Sequence, residues 1–162
     1  MRTIPQLLRV LPFLALGFAP VALSQGTDHS AHMGQQATPA DGRQVVNLPE
    51  PMRQHMLANM RDHLRTLQEI NDALSNNAFD KASSIAEKRL GMSSLESHGA
   101  AHLAPYLPQG MQDMGTQMHR AASRFAVAAQ DAGVSNDVRP ALGALGAVMQ
   151  QCVACHETYR VK

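Results

Sequence analysis

Between residues 57 and 74 the inward positions recur at alternating steps of three and four: Leu57, Met60, Leu64, Leu67, Asn71 and Leu74. That spacing returns to one side of a 3.6-residue turn, so the stretch is expected to be a helix with a single buried stripe. A helix of this kind is stable only against partners that bury the stripe, which obliges the rest of the chain to supply them. The remainder shows no alternation of period two and is rich in Ala, Leu, Met, Gln and Arg, all good helix formers. Helix A is expected to begin at Asn47, with Pro49 in its first turn and Glu50 at the third helical position, and to end at Asn76-Asn77. Helix B follows from Phe79 to Ser97, with Phe79, Ala82, Ile85, Ala86 and Met92 as its apolar face. Gly99, Pro105, Pro108 and Gly110 then interrupt regular structure.

Helix C is expected from Met111 to Ala132, with Gly133 ending it and Met111, Met114, Met118, Ala122, Phe125 and Ala129 on one face. Asn136 is placed to cap helix D, and Pro140 fits its first turn. The face of helix D reads Val138, Leu142, Leu145, Met149, Cys152, His156 and Tyr159. The expected architecture is all-α, an antiparallel four-helix bundle over residues 47–162. Aromatic residues make up only 4% of the chain, so a core of Ala and Met leaves volume that a large cofactor could fill.

The N-terminus reads differently. Arg2 and Arg9 precede a mostly apolar stretch, Val10 to Val21, and Ala22-Leu23-Ser24 offers small residues at a cleavage point. This is the layout of a secretory signal over residues 1–24, too short in apolar run for a spanning helix, and it implies export to the periplasm with no membrane span after cleavage. Residues 25–46, with Gly26, Gly34, Pro39 and Gly42, read as a flexible leader. The chain holds 14 basic and 13 acidic residues, and two of the basic ones leave with the signal. A near-neutral chain without a basic stripe is not a nucleic-acid binder.

An exported chain can form disulfides, yet only Cys152 and Cys155 exist, and His156 follows directly in Cys152-Val153-Ala154-Cys155-His156. Two thiols one helical turn apart reach the two vinyl groups of a porphyrin, and the next histidine reaches its iron from the same turn. The motif therefore points to one covalent haem c, with His156 as iron ligand. A zinc site would need further ligands, such as His98 and His102, and a thioredoxin-type pair would need a strand-rich context and a helix N-terminus.

The end of the chain, Cys152-Val153-Ala154-Cys155-His156-Glu157-Thr158-Tyr159-Arg160, on the last of four helices, resembles the cytochrome c′ family and its low-spin relatives, the cytochromes c556. The resemblance covers residues 47–162. It implies thioether attachment at Cys152 and Cys155, His156 as proximal ligand, and Arg160 beside the proximal imidazole. Arg53-Gln54 is similar to a segment in which the arginine meets a haem propionate. Pro108-Gln109-Gly110-Met111 departs from the Pro-x-x-Trp found in many members, which alters the packing expected at the haem edge. Family members often dimerise, so a homodimer is a further expectation of the resemblance.

Function turns on the sixth position of the iron. Aligned through Arg53, Leu57 falls at the family's distal blocking position and leaves the iron open to a small gas such as nitric oxide or carbon monoxide. A one-residue rotation presents Met56, and the next turn Met60 or His63, any of which would make a six-coordinate centre. A methionine row is also ordinary core filling, so both readings stand. In the leader, His29, His32 and Met33 offer imidazole and thioether donors suited to copper. No constellation for processing a substrate accompanies the motif, so the chain is expected to be a non-enzymatic one-electron carrier serving periplasmic redox partners. Gas binding and copper handling are the alternatives.

Overall fold

The computed structural model describes residues 41–162. The expected signal and most of the leader, including His29, His32 and Met33, lie outside the described residues. The elements run β1 (Gln44–Val46), α1 (Glu50–Ser75), α2 (Phe79–Arg89), a 3-10 turn (Met92–Ser94), α3 (Ala100–Leu103), a second 3-10 turn (Ala104–Tyr106), α4 (Gln109–Ser135), α5 (Arg139–Thr158) and β2 (Tyr159–Val161). The fold is all-α apart from one short two-stranded pairing.

The long helices match expectation in kind and differ in register and ends. In α1 the N-cap is Pro49, and Glu50 accepts hydrogen bonds from Arg53 (2.9 Å) and Gln54 (2.7 Å); Asn47 caps nothing. Its buried residues are Met56, His63, Thr66, Ile70, Ala73 and Leu74. The stripe is thus turned from the expected seam, and Leu64 is 69% exposed. Thr66 is tolerated inside because its hydroxyl donates to the Asp62 carbonyl one turn back (2.8 Å).

Helix α2 stops at Arg89, well short of the expected Ser97. The chain turns there: the Gly91 N–H returns to the Ala86 carbonyl (2.8 Å), and the Gly91 carbonyl accepts from the Ser94 N–H (3.0 Å) and hydroxyl (2.7 Å). Arg89, in the last turn of α2, pairs with Asp62 and Glu69 of α1 at 2.6 Å each and ties the two helices together. In α4 Gly133 does not end the helix. The helix continues two residues past it, and Gly133 packs beside Phe79 with room for an ordinary contact (3.4 Å to the Phe79 Cβ). The end comes at Asn136, which takes the left-handed conformation (φ 57°) that closes a helix. Asn136 therefore does not cap α5, whose N-cap position is Val138.

Packing follows residue size. α4 lies between α2 and α5, and α2 also lies on α1. Phe125 of α4 is wholly buried, surrounded by Ile70, Leu90, Val148 and a set of alanines that includes Ala82, Ala86, Ala122, Ala129 and Ala141. A second, smaller cluster joins Val46, Leu48, Met56 and Leu103 with Met52, Met60, Met111 and Tyr159. It forms because β1 pairs in parallel with β2, in the register Gln44↔Tyr159, Val45↔Arg160 and Val46↔Val161. The last residues of the expected leader are thus part of the packed unit. Val46 is buried there, so the domain extends N-terminal to residue 47. Truncating Phe125 to Ala should remove about 3–5 kcal/mol of stability, since alanine neighbours cannot collapse into the space. Urea unfolding of the variant against the parent protein measures this.

Candidate functional site

Cys152, Cys155 and His156 occupy the last two turns of α5. Both cysteines are half-buried free thiols, and Cys152 packs against the main core. Burial pushes both thiols above the ordinary value, and the neighbouring Cys152 adds to this at Cys155. They are therefore protonated at neutral pH, the opposite of the depressed thiols used for disulfide exchange, and they sit at the helix end whose dipole disfavours thiolate. His156 is exposed. On the same side of α5, at steps of seven, four and three, lie Leu142 (47% exposed), Met149 (45%), Val153 (54%) and then His156. Leu142, Met149 and His156 were expected to face inward. The buried residues are Ala141, Leu145 and Val148, of which Leu145 belongs to the expected face, and α5 packs along α4.

A charged group missed by the sequence reading borders the motif. Arg43 donates to the His156 carbonyl (3.3 Å) and pairs with Asp41 (2.8 Å), which also meets Arg160 (3.3 Å). The two arginines, Arg43 first, hold the Asp41 carboxyl well below the usual carboxylate range. Arg43 fell in the expected leader, and only the β1–β2 pairing brings it here. Arg160 reaches this group through Asp41, its ion-pair partner at 3.3 Å. Arg53 is engaged by Glu50 in the first turn of α1. Tyr159 is half-buried in the second apolar cluster, and its hydroxyl comes so near Gly110 that a side chain there would stand 2.6 Å from it.

Met56 and Met60 line a cavity of about 350 Å³ together with His63, His98, Met111 and His119. Its walls come from α1, from the segment around α3 and from α4, and no residue of α5 contributes. The structure therefore does not bring Met56, Met60 or His63 to Cys152, Cys155 or His156 within that cavity. His98 belongs to the cavity and His102 is exposed, so neither joins the cysteines as a zinc site would require.

The histidines form a group that spacing along the chain does not reveal, since they sit on α1, on the loop before α3 and on α4. Ring centroids are 4.8 Å apart for His63–His98, 5.4 Å for His98–His119 and 6.3 Å for His63–His119. His119 Nδ1 lies 2.7 Å from the Leu90 carbonyl, to which it must donate, leaving Nε2 as a free lone pair. Ser94 spends its hydroxyl proton on Gly91, so at 3.4 Å it accepts from His98 Nδ1 and leaves that Nε2 unprotonated too. His63 Nε2 is buried and has no partner among the described residues. Burial, then the neighbouring His98 and His119, push the His63 pKa from 6.5 to about 4, against the pull of Asp62. Burial also lowers His98 and His119.

Neither a protein-family profile, a characterised protein nor a solved structure matches this chain. Among the described residues no helix is long and apolar enough to cross a membrane.

The histidine group sets a pH dependence. Between its ordinary value of 6.5 and about 4, His63 is protonated in the unfolded chain and neutral in the folded one. The unfolded state binds more protons there, so stability falls as pH drops through this window, by roughly 3 kcal/mol at most for His63. His98 and His119 act in the same direction. Thermal unfolding between pH 7 and 4.5 in a chelating buffer should show the decline, and His63→Leu should flatten it.

Proposed function

We propose that this chain is an exported c-type cytochrome that carries one covalent haem on Cys152 and Cys155, with His156 as iron ligand, and that it transfers single electrons to periplasmic partners. In this reading α1, α2, α4 and α5 act as an antiparallel four-helix bundle of the cytochrome c′ kind. The observation that carries it is local. Two half-buried, protonated thiols stand one turn apart at the end of a helix, followed by an exposed imidazole at the end of an uncovered apolar row.

Each part of that arrangement suits the group. Protonated thiols that neither bridge nor bind metal remain available for addition across vinyl carbons. Leu142, Met149 and Val153 expose apolar surface that a flat macrocycle would take out of water, at roughly 25 cal/mol per Å². Arg43, bonded to the His156 carbonyl, and Arg160, linked to Arg43 through Asp41, supply positive charge that acidic substituents of such a group would meet. When bound, the haem supplies one iron that accepts and returns a single electron. What the chain contributes is two thiols for attachment, an imidazole for the iron and an apolar row beside it.

A second reading, gas binding at an open sixth position, is favoured by one observation. Met56 and Met60 are committed to the second apolar cluster and its cavity, which α5 does not line. On this reading neither thioether reaches the iron.

The test is an optical spectrum of the full chain produced in a periplasm with haem-attachment machinery. Haem should remain with the polypeptide after denaturation, and Cys152→Ala with Cys155→Ala should abolish that retention. Absence of covalent haem in the parent protein would overturn the proposal. Sharp ferrous bands unchanged by carbon monoxide would select the electron carrier, and Met56→Ala or Met60→Ala would then turn the iron high-spin. Broad bands that shift with carbon monoxide would select the gas-binding reading.

A further inference from the structure

No residue of α5 lines the cavity between α1, the segment around α3 and α4. Three imidazoles and three thioethers border it: His63, His98, His119, Met56, Met60 and Met111. Packing alone does not account for this set. A buried ring nitrogen without a partner, on His63, costs stability that a leucine in its place would restore. The other two rings are held through Nδ1 by the Leu90 carbonyl and the Ser94 hydroxyl. Fixing one nitrogen by a protein acceptor, so that the other presents its lone pair, is how metal-binding histidines are oriented.

We infer that His63, His98 and His119 form a binding site for a copper ion, completed by a thioether of the same cavity. Imidazoles serve zinc, copper and nickel alike, whereas thioether donors select Cu(I), and this cavity supplies both. The spacing is of the right size. With a metal–nitrogen bond of about 2.0–2.1 Å, imidazoles sharing one ion have ring centres roughly 4.5–6 Å apart. Two of the separations here, 4.8 and 5.4 Å, fall in that range, and the His63–His119 pair stands wider at 6.3 Å. Among the described residues no three such side chains already converge on one point. Binding therefore requires the His63 ring, whose Nε2 has no partner among the described residues, to swing toward His98 and His119, whose Nδ1 bonds stay in place. The cavity of about 350 Å³ gives it room, and the segment that carries His98 is a loop bounded by the left-handed Gly99 (φ 62°).

The site is independent of the leader and of haem attachment, so its test is arranged to separate the three. Full-length protein, with haem content measured separately, is titrated anaerobically with Cu(I) against a competing chromogenic chelator, and in parallel with Zn(II). One equivalent of Cu(I) should bind, survive His29→Ala with His32→Ala in the leader, and be lost in His63→Leu and in His98→Ala. His63→Leu should unfold at or above the temperature of the parent protein, which separates loss of a ligand from loss of the fold. His98→Ala, on a half-buried loop, provides a second variant if His63→Leu fails to fold. Copper binding that vanishes with the leader histidines, or persists in both cavity variants, would overturn the inference. So would the absence of binding, or Zn(II) held more tightly than Cu(I).

Discussion

The contact of α4 with α2 and α5 is what the remaining structure depends on. Alanines at Ala121, Ala122, Ala126, Ala129 and Ala132 let helix backbones approach closely, and Phe125 fills the one large space they leave. Close packing has a geometric consequence. Because α5 meets α4 through Ala141, Leu145 and Val148, the opposite side of α5 cannot also be buried there. The apolar row of Leu142, Met149 and Val153 is therefore left outside, leading to His156. The same contact that half-buries the two thiols leaves the imidazole exposed.

The early end of α2 shapes the other half of the molecule. With only 11 residues, α2 covers part of the length of α1 and α4, and the chain from Met92 to Tyr106 crosses the rest in two 3-10 turns and a four-residue helix. Irregular chain packs less tightly than a helix, and a cavity remains between α1, α4 and this segment. The parallel pairing of β1 with β2 closes one border. It draws Val46 and Leu48 onto Met56 and Leu103, and it carries Asp41 and Arg43 to the end of α5. Two regions of distinct chemistry result, one of thiols and an exposed imidazole on α5, the other of buried imidazoles and thioethers between α1 and α4.

Much of this was legible in the chain. Helical periodicity located all four long helices, and the prolines and glycines between residues 99 and 110 marked the interruption. Register was less legible. In α1, Leu57 and Leu64 continue the three-and-four pattern, yet Met56, His63 and Ile70 are buried in their place, and the expected seam returns to the interior only at Leu74. Met56 and His63 are seven apart, as are Leu57 and Leu64, so spacing alone does not choose between adjacent stripes. The helix ends at Arg89 and Ser135 were missed for a related reason. The turn at Gly91 ended one helix, and the left-handed Asn136, not Gly133, closed the other.

By itself, the sequence determined the helical class and set Cys152, Cys155 and His156 on one stretch of helix, because both are local: periodicity and residue order require no partner to be recognised. Only the tertiary structure decided which stripe of each helix is buried, that Arg43 stands beside His156, and that His63, His98 and His119 share one cavity. These depend on contacts between residues 20 or more positions apart, whose choice rests on side-chain volume and on which backbone groups find partners. Such choices are made between helices, after each helix has already been specified.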